Sequence, residues 1–467
     1  MSAGLAANSN PITSNSEISK TQASTAIVGG GFLGMTLALR LAESGAKVTL
    51  FESAETLGGL ASVWQLGDNI VWDRHYHVTL LSDLALRKTL GEIGVENELQ
   101  WRETKTGFYT DGRLVSMSNS LEFLRFPPLG LISKFRLGAT IFYASKITDW
   151  KKLEKIPVAD WLTKLSGKRT FEKIWLPLLR AKLGESYRET SAAFIWATIQ
   201  RMYAARKSGL KKEMFGYVRG GYARVLEKFG EHLQKKGVEI RLNSRVQKIE
   251  KLSNGKIGVY VGGNDSAFVK EYSSQVFDAA ILTVPGNVAA KMCTALSDRE
   301  KAALNAVRYQ GIVCASVLLK NSLSRFYVTN ITDEAPFTAV IEMSALVDKE
   351  EFGGNALVYL PKYVAPDDKI FEKTDDEIRE TFLGALERMY ENFRREDVLE
   401  FKVSRVRQVF ALSTLNYSNT LPPMTTSLEN VFIVNSAQIT NGTLNVNETI
   451  LLAERALKEL QMQSEVF

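Results

Sequence analysis

A glycine-rich turn near the start of the chain, set between two short apolar runs, most strongly limits how the chain can fold. Residues 25–28 (TAIV) and 47–51 (KVTLF) are typical of buried strands, and residues 32–44 between them carry apolar side chains at helical spacing. The turn fits the pattern GxGxxG and reads Gly29-Gly30-Gly31-Phe32-Leu33-Gly34. A strand, a glycine turn, a helix and a second strand within about thirty residues predict a βαβ unit that binds a dinucleotide.

Each position of this turn has its own physical task. Gly29 permits the tight turn, and Gly31 lets the backbone approach a pyrophosphate. Gly34 lets the helix pack closely against the strand. Phe32 and Leu33 begin the helix, so we expect their free N–H groups to face the phosphates at the positive end of the helix dipole.

An acidic residue follows the second strand. Glu52 is placed to accept hydrogen bonds from ribose hydroxyls, with Ser53 next to it. A carboxylate at this point argues against a 2′-phosphate on the bound nucleotide. FAD and NAD therefore both remain open on this pattern alone.

Composition and charge exclude several other classes of protein. The chain has 467 residues, of which 45% are hydrophobic and 24% charged, as in ordinary globular proteins. The net charge of +6 is small for this length, and the basic residues are scattered without a nucleic-acid-binding motif, so no nucleic-acid partner is expected. Cys293 and Cys314 have no metal-type spacing, which favours a reducing, cytoplasmic compartment and no metal site.

The first 24 residues differ from the rest in composition. They are polar and rich in Ser, Asn and Ala, without the features of a signal peptide, and we expect them to form a disordered tail over 1–24. No run of about 18 uncharged apolar residues occurs in the chain, so a spanning helix is not expected.

A second glycine pair decides between the two cofactors. After Glu52 the chain continues SAETLGGLASVW, with Gly58-Gly59 shortly beyond the acid. Here the sequence resembles the superfamily of FAD-dependent amine oxidases, protoporphyrinogen oxidases and phytoene desaturases, of which UDP-galactopyranose mutase is a structural cousin. In that superfamily a turn of this type packs against the FAD pyrophosphate. The arginine usual after the glycine pair is Leu60 in this chain.

The resemblance continues toward the middle of the chain. Residues 216–250 look like the second FAD segment of the family, and the resemblance implies that the backbone of Val246 contacts the adenine. FDAAILTVP, residues 277–285, resembles the strand that follows, with its turn at Pro285.

The resemblance ends in the closing segment, residues 430–460. In the family a strand there ends in Gly-Asp, and the start of a helix faces the flavin; the pair reads Asn435-Ser436 in this chain. The resemblance implies that Ser436 replaces the acid that accepts a ribitol hydroxyl. It also places N–H groups near Asn447 close to the flavin, which we expect to be noncovalently bound FAD.

These segments together imply an α/β fold with a doubly wound GxGxxG FAD-binding domain and an inserted α+β substrate domain. We expect the FAD-binding domain to comprise residues 25–83, 213–296 and 421–467. The substrate domain would then comprise residues 84–212 and 297–420.

The two inserted stretches differ in pattern. The first is mainly helical, whereas the second alternates β-type runs with an amphipathic helix at 375–394. Within the first, residues 121–155 mix large apolar residues with spaced cations, and monotopic relatives place a comparable segment at the membrane surface. Core packing is the alternative. We therefore expect a small-molecule substrate that is lipid-soluble, and peripheral contact with a membrane.

The densest group of reactive side chains is VWDRHYHV, residues 71–78. Aligned on a turn that passes close to the flavin in the family, Asp73 and His77 match the pattern and His75 replaces a glycine. We predict catalytic roles for His75, His77 and Arg74, in orienting the substrate or moving a proton. The alternative is that the histidines brace the turn through hydrogen bonds.

A second group of cations lies at residues 174–191, in a segment similar to one that lines the substrate chamber of relatives. Arg180, predicted as a catalytic residue, and Lys182 would pair there with a carboxylate or phosphate of the substrate. A solvated helix face is the alternative for both.

The predicted reaction is removal of a hydride from a C–H bond of an apolar or ring substrate, as in protoporphyrinogen oxidases and desaturases. Two alternatives remain. One is a non-redox flavoenzyme that resembles UDP-galactopyranose mutase and acts on a nucleotide sugar. The other is a non-catalytic flavoprotein.

Overall fold

The computed structural model describes residues 22–206, 214–262 and 273–463. Within these ranges the strands, in chain order, are β1 (Ser24–Val28), β2 (Lys47–Phe51), β3 (Val63–Leu66), β4 (Ile70–Asp73), β5 (Thr79–Leu80), β6 (Leu99–Glu103), β7 (Thr106–Thr110), β8 (Arg113–Ser116), β9 (Met214–Val218), β10 (Glu239–Arg241), β11 (Arg245–Lys251), β12 (Ile257–Gly262), β13 (Ser273–Phe277), β14 (Ala279–Leu282), β15 (Tyr309–Leu319), β16 (Val328–Ile331), β17 (Ala339–Glu342), β18 (Ala356–Val364), β19 (Val398–Ala411) and β20 (Val431–Ile433).

The helices of the same ranges are α1 (Phe32–Glu43), α2 (Leu84–Glu92), α3 (Ser120–Arg125), α4 (Leu131–Ala144), α5 (Trp150–Leu153), α6 (Val158–Ser166), α7 (Lys168–Thr170), α8 (Leu176–Leu183), α9 (Ala192–Arg206), α10 (Gly221–Lys235), α11 (Gly286–Met292), α12 (Asp298–Ala306), α13 (Asp375–Met389), α14 (Tyr417–Thr420) and α15 (Val446–Gln463).

The sheet that carries the glycine turn is parallel, with the strand order β10-β2-β1-β14-β20. Its strands come from distant parts of the chain, since β1 pairs with both β2 and β14. Because they all run in one direction, their carboxyl ends lie along one edge of the sheet. Gly29 follows β1, Glu52 follows β2 and Thr283 follows β14 at that edge.

The two faces of this sheet are covered differently. Helices α1, α10 and α15 bury one face in a hydrophobic cluster that includes Leu37, Phe229 and Ala453. The antiparallel strands β11, β12 and β13, together with α11, cover the other face around Phe51 and Ile257. The predicted α/β class with a parallel sheet is thus confirmed, although antiparallel strands provide much of the second layer.

On the helical side of the sheet, one arginine connects three helices through ion pairs. Arg40 of α1 donates to Glu92 of α2 at 2.8 Å and to Glu454 of α15 at 2.7 Å, and it also pairs with Glu43 at 2.9 Å. These carboxylates compensate its partial burial and raise its pKa. The contact joins the beginning of the chain to its closing helix.

A second sheet has the order β19-β15-β18-β17-β16-β7-β8. Its pairs are antiparallel except for β16 with β7, which joins strands from the two inserted stretches. Helix α13, predicted at 375–394, packs on this sheet through Phe382 and Leu386. Helices α3 to α9 form a helical layer around Trp161 and Leu179. The division at 84–212 and 297–420 stays a proposal.

Three further predictions from the sequence can be compared with the structure. The stretch 84–212, expected to be mainly helical, also contains β6, β7 and β8. Strands β7 and β8 form a hairpin, and β6 and β7 pair with the remote strands β9 and β16. Most of the tail predicted over 1–24 lies outside the described residues, and β1 already begins at Ser24. Among the described helices, none has the length and apolar character needed to cross a membrane.

Gly34 allows a direct test of how α1 packs on the sheet. A Cβ at this position would lie 1.9 Å from the carbonyl oxygen of Gly29, so α1 must shift to accept one. We expect Gly34→Ala to lower the free energy of unfolding by about 1–3 kcal/mol. Urea unfolding followed by circular dichroism measures this change.

Gly138, in the interior of α4, provides the matched control. A Cβ there meets no atom within 4 Å, so Gly138→Ala should raise the free energy of unfolding by up to about 1 kcal/mol through helix propensity. Equal effects of the two substitutions would contradict the close packing of α1 on β1.

Candidate active site

At two positions of the first turn, the packing of the protein alone explains why the residue is glycine. Gly29 has φ 116°, and a Cβ there would lie 2.4 Å from Oγ1 of Thr283. That hydroxyl donates to the carbonyl of Val28 at 2.9 Å and holds β14 beside the turn. Gly34 is required by the helix contact described above. Backbone conformation and packing thus explain both positions without a ligand.

Gly31 needs a different explanation. Its φ of −76° and ψ of 174° are open to any residue, and an added Cβ would meet no protein atom closer than 3.9 Å. It also caps the N-terminus of α1, where no side chain of the described residues accepts a hydrogen bond from the first turn, which begins with Phe32 and Leu33. The free space and the exposed donors of a helix N-terminus fit the pyrophosphate of a dinucleotide.

The second glycine turn lies directly against the first. The N–H of Gly58 donates to the carbonyl of Gly30 at 2.9 Å, and Gly31 and Gly58 form an isolated parallel bridge. Gly58 and Gly59 have φ of 129° and 57°, which side chains rarely adopt. A Cβ on Gly59 would lie 3.2 Å from Cα of Gly31. Glycine at both turns therefore keeps the two backbones in contact.

Glu52 lies where a ribose would meet the glycine turn. Its Oε2 accepts from the N–H of Gly30 at 2.7 Å, and its Oε1 accepts from Ser53 Oγ at 3.2 Å. The carbonyl of Glu52 accepts from the N–H of Ser244 at 2.8 Å, which places the start of β11, with the buried Val246, next to the acid. The predicted adenosine-binding residues therefore lie together.

The remaining predicted cofactor residues lie further along the same edge. Pro285 caps α11 just after β14, and half-buried Ser436 follows the end of β20. Asn447 is in the first turn of α15, where its Oδ1 accepts from the N–H groups of Ala85 and Leu86 at 3.0 and 3.2 Å. The side chain of Asn447 thus caps α2, and a flavin contact at this point, still a prediction, falls to the backbone of α15.

His75 is held at both ring nitrogens. Nδ1 lies 3.3 Å from the carbonyl of Leu60, which can only accept, so Nδ1 is the donor. Nε2 then accepts from Ser404 Oγ of β19 at 3.1 Å. Burial lowers the pKa of His75 to about 4, so the ring is neutral near pH 7. These contacts match the bracing alternative, and the catalytic role of His75 stays a prediction.

His77 has a different environment. Its Nδ1 lies 3.5 Å from Oδ2 of buried Asp73, and its ring lies against Tyr222 with the centroids 4.7 Å apart. Oδ1 of Asp73 accepts from the N–H of Tyr222 at the start of α10, at 2.8 Å. A small cavity beside the ring is lined by Asp73, His77, Tyr222, Trp72 and Met343. His77 therefore combines a nearby carboxylate with adjacent free space, and its buried Nδ1 makes no hydrogen bond to the described residues.

Arg74 lies at the end of the second glycine turn. Its N–H donates to the carbonyl of Ser62 at 3.0 Å, and its guanidinium lies over the ring of Trp64, 5.2 Å from the centroid. The Nε atom is buried, and it has no hydrogen-bond acceptor among the residues that the structure describes. A buried donor without an acceptor is uncommon, which makes Arg74 a candidate partner for an anionic ligand group.

Arg180 and Lys182 have separate surroundings on α8. Arg180 is exposed and pairs with Glu185 at 2.9 Å, as on a solvated helix face. Lys182 turns inward, with Nζ 3.6 Å from the ring centroid of Tyr363 and 5.2 Å from that of Phe410. Burial lowers the pKa of Lys182 to about 7. The structure does not bring Arg180 together with His75 or His77, and its catalytic role stays a prediction.

Several residues of the site had no signal in the sequence. Tyr363 and Phe410 lie within ordinary β-type runs, yet they border Lys182, and the hydroxyl of Tyr363 lies 2.8 Å from that of Tyr76. Ser404 likewise becomes notable only through His75. Pairing across β15, β18 and β19 brings these positions together, and no local motif marks it.

Comparison with known proteins shows which family has this fold. The family model described as "Flavin containing amine oxidoreductase" matches residues 34–455. Among individual proteins, the 15-cis-phytoene desaturase of Solanum lycopersicum is 25% identical over 277 residues, which cover 55% of this chain and 46% of that protein. The chain therefore spans about half the length of the curated relatives that it matches.

Solved structures share the fold over nearly the whole chain. Wild-type putrescine oxidase bound to putrescine superposes with a TM-score of 0.70 at 17% identity, covering 94% of this chain and 99% of the other. Reduced UDP-galactopyranose mutase superposes with a TM-score of 0.68 at 14% identity, covering 95% of this chain and 94% of the other. At these identities the likeness establishes the fold alone.

Gly31 yields a test of cofactor binding that is separate from stability. Because a Cβ there clears all protein atoms, Gly31→Val should fold, while its side chain occupies the space for the pyrophosphate. We expect FAD affinity to fall at least about tenfold, or about 1.4 kcal/mol. The ratio of flavin to protein absorbance, and the melting temperature of the FAD-free protein, measure the two effects.

Gly130 is the control because it also caps a helix, α4, with a similar φ of −71° and ψ of 166°. Gly130→Val should purify with its full FAD content. Yellow Gly31→Val protein with full FAD content would refute the assignment of Gly31.

Proposed function

Because the chain belongs to the family of flavin-containing amine oxidoreductases, we propose that it is an FAD-dependent oxidoreductase that removes a hydride from a C–H bond of an apolar or ring substrate. The free space at Gly31, beside the uncapped N-terminus of α1, carries the assignment of the cofactor site. The outward apolar face of α3 and α4, described below, supports an apolar substrate. FAD, when bound, supplies the hydride acceptor.

The residues along the sheet edge would hold FAD in order. Glu52 and Val246 lie at the adenosine end, and the paired glycine turns lie at the pyrophosphate. Leu60 offers no charge to the phosphates. Arg74 lies beside the same turn, through its backbone hydrogen bond to Ser62, and its buried Nε has no acceptor among the described residues. Arg74 would therefore supply the positive charge that the usual arginine supplies in the family.

His77 is the proposed group for proton movement. Removing two hydrogens from adjacent carbons releases a proton as well as a hydride, so a base must accept the proton. His77 would accept that proton, and the carboxylate of Asp73, 3.5 Å from Nδ1 of His77, would help to orient the ring. His75 contributes instead by holding the turn to β19, since both of its nitrogens are used.

The helical layer presents an apolar face to the outside. On α4, Ile132, Phe135 and Phe142 are 80%, 79% and 57% exposed, and their spacing places them along one side of the helix. Leu121 and Leu124 of α3 are also exposed. A patch of large apolar residues is unusual on a protein surface and marks an interaction site.

A lipid surface is the partner that this patch fits. Arg125, Lys146, Lys151 and Lys152 are exposed around it, and Nζ of Lys146 lies 5.2 Å from the ring centroid of Phe142. Apolar side chains bordered by cations suit the headgroup region of an anionic bilayer. The inner side of α4 belongs to the same hydrophobic cluster as Phe410, so the layer extends from this face to the interior.

An anaerobic titration tests the proposed reaction. Protein purified with FAD receives phytoene or protoporphyrinogen in anionic vesicles, and flavin absorbance is recorded. We expect one of these apolar compounds to bleach the flavin and putrescine to leave it oxidised. Conversion of UDP-galactopyranose by the reduced protein, without an electron acceptor, would instead support the mutase alternative. An oxidised spectrum with every compound would support the non-catalytic alternative.

Membrane contact has a separate test. Ile132→Glu combined with Phe135→Glu places charge on the apolar face, and we expect the partition into anionic vesicles to fall at least about tenfold. Cosedimentation with vesicles measures it. Met462→Glu, on a residue of α15 that is 78% exposed, is the control and should bind as wild type does. Unchanged sedimentation of the double variant would exclude this face as the membrane contact.

A further inference from the structure

Lys182 is a cation without an anionic partner. Its side chain is half-buried, and among the described residues Nζ has no hydrogen bond and no ion pair with a carboxylate. Lysines that leave water are normally paired, because burial penalises the charged form. What Nζ meets instead is the face of Tyr363 at 3.6 Å and the ring of Phe410 at 5.2 Å.

Tyr363 and Phe410 form what we call the aromatic cage. Their rings meet edge to face with the centroids 6.0 Å apart, and Phe194 of α9 stacks on Phe410 at 6.3 Å. β18 and β19 supply the two rings, and α8 supplies the lysine above them. The cage is therefore built where the helical layer meets the second sheet.

The cage adjoins the predicted catalytic segment. The hydroxyl of Tyr363 lies 2.8 Å from that of Tyr76, which stands between His75 and His77 in the chain. Tyr363 also packs against both the helical layer and the second sheet. A ligand that reached the segment 71–78 from the helical layer would pass the cage.

Aromatic faces attract cations, and sites for ammonium groups are built from such rings. In this chain the cage already contains a cationic side chain of its own. Burial lowers the pKa of Lys182 to about 7, so at pH 7 a large fraction of the side chains still carries the charge that the ring faces attract, and no nearby carboxylate cancels it. A second cation brought to the cage would meet repulsion at close range in a medium that screens charge poorly.

We propose that the side chain of Lys182 occupies the aromatic cage and supplies a positive charge there. A cationic amine would bind at the cage if Lys182 were absent, so Lys182 excludes amines from the site but does not repel uncharged compounds. This inference rests on the proposed function, in which the cage borders the substrate. It narrows the substrate class by naming the residue that excludes charged amines.

Calorimetric titration of the FAD-loaded protein with benzyltrimethylammonium chloride tests the proposal without a turnover assay. Wild-type protein should show no saturable binding. Lys182→Ala removes both the charge and the volume above the rings, and we expect it to bind the cation at least about tenfold more tightly. The affinity for benzyl alcohol, a neutral probe, should rise far less in the same variant.

Three variants separate charge, space and the cage itself. Lys182→Met removes the charge but keeps most of the volume, so it should bind the cation more tightly than wild type does and less tightly than Lys182→Ala does. Lys182→Ala combined with Tyr363→Leu should bind the cation no more tightly than wild type does, because one ring of the cage is missing. Lys164→Ala, which removes an exposed lysine of α6, should behave as wild type.

Two results would overturn the proposal. One is a Lys182→Ala protein with normal FAD content and melting temperature that binds the cation no better than wild type. The other, which does not depend on any variant folding, is saturable cation binding by the wild type. Reduction of the wild-type flavin by putrescine would overturn both this inference and the proposed function. A gain of cation binding by Lys182→Ala in a protein that no apolar compound reduces would overturn the proposed function alone.

Discussion

The contact between the two glycine turns is the constraint on which the rest of the site depends. The N–H of Gly58 donates to the carbonyl of Gly30, and no side chain separates the backbones. This contact fixes the start of the β3–β4 hairpin, whose far end returns through Arg74 to Ser62. The adjacent His75 then reaches Ser404. A hydrogen-bonded path therefore leads from the nucleotide-binding edge to the second sheet.

The path through His75 couples two parts of the molecule with different chemical tasks. The edge of the parallel sheet carries the backbone donors proposed to meet a phosphate, whereas β18 and β19 supply aromatic rings. A neutral imidazole suits the junction because one nitrogen donates to Leu60 and the other accepts from Ser404. A charged ring would be costly to bury at this position.

Local sequence patterns predicted the parts of the fold that depend on neighbouring residues. The β1-α1-β2 unit, Glu52 and the start of α15 each follow from a short motif with its own physical reason. The strands β6 and β7 were missed because their short runs are recognisable as strands only when paired with β9 and β16, and β8 is held through its pairing with β7. Arg180 and Lys182 looked equivalent in sequence, yet one pairs with Glu185 and the other meets Tyr363. Such differences arise from contacts between residues remote in the chain, which no local pattern records.

The order of strands in the parallel sheet also has a consequence for synthesis. β1 leaves the ribosome long before its neighbour β14, and β20, which pairs with β14, is made later still. Pairing between such distant strands is slow, and an unpaired edge of β1 stays exposed until it forms. The parallel sheet therefore cannot be completed before β20 has been translated, and we expect stable loading of the flavin to follow that point.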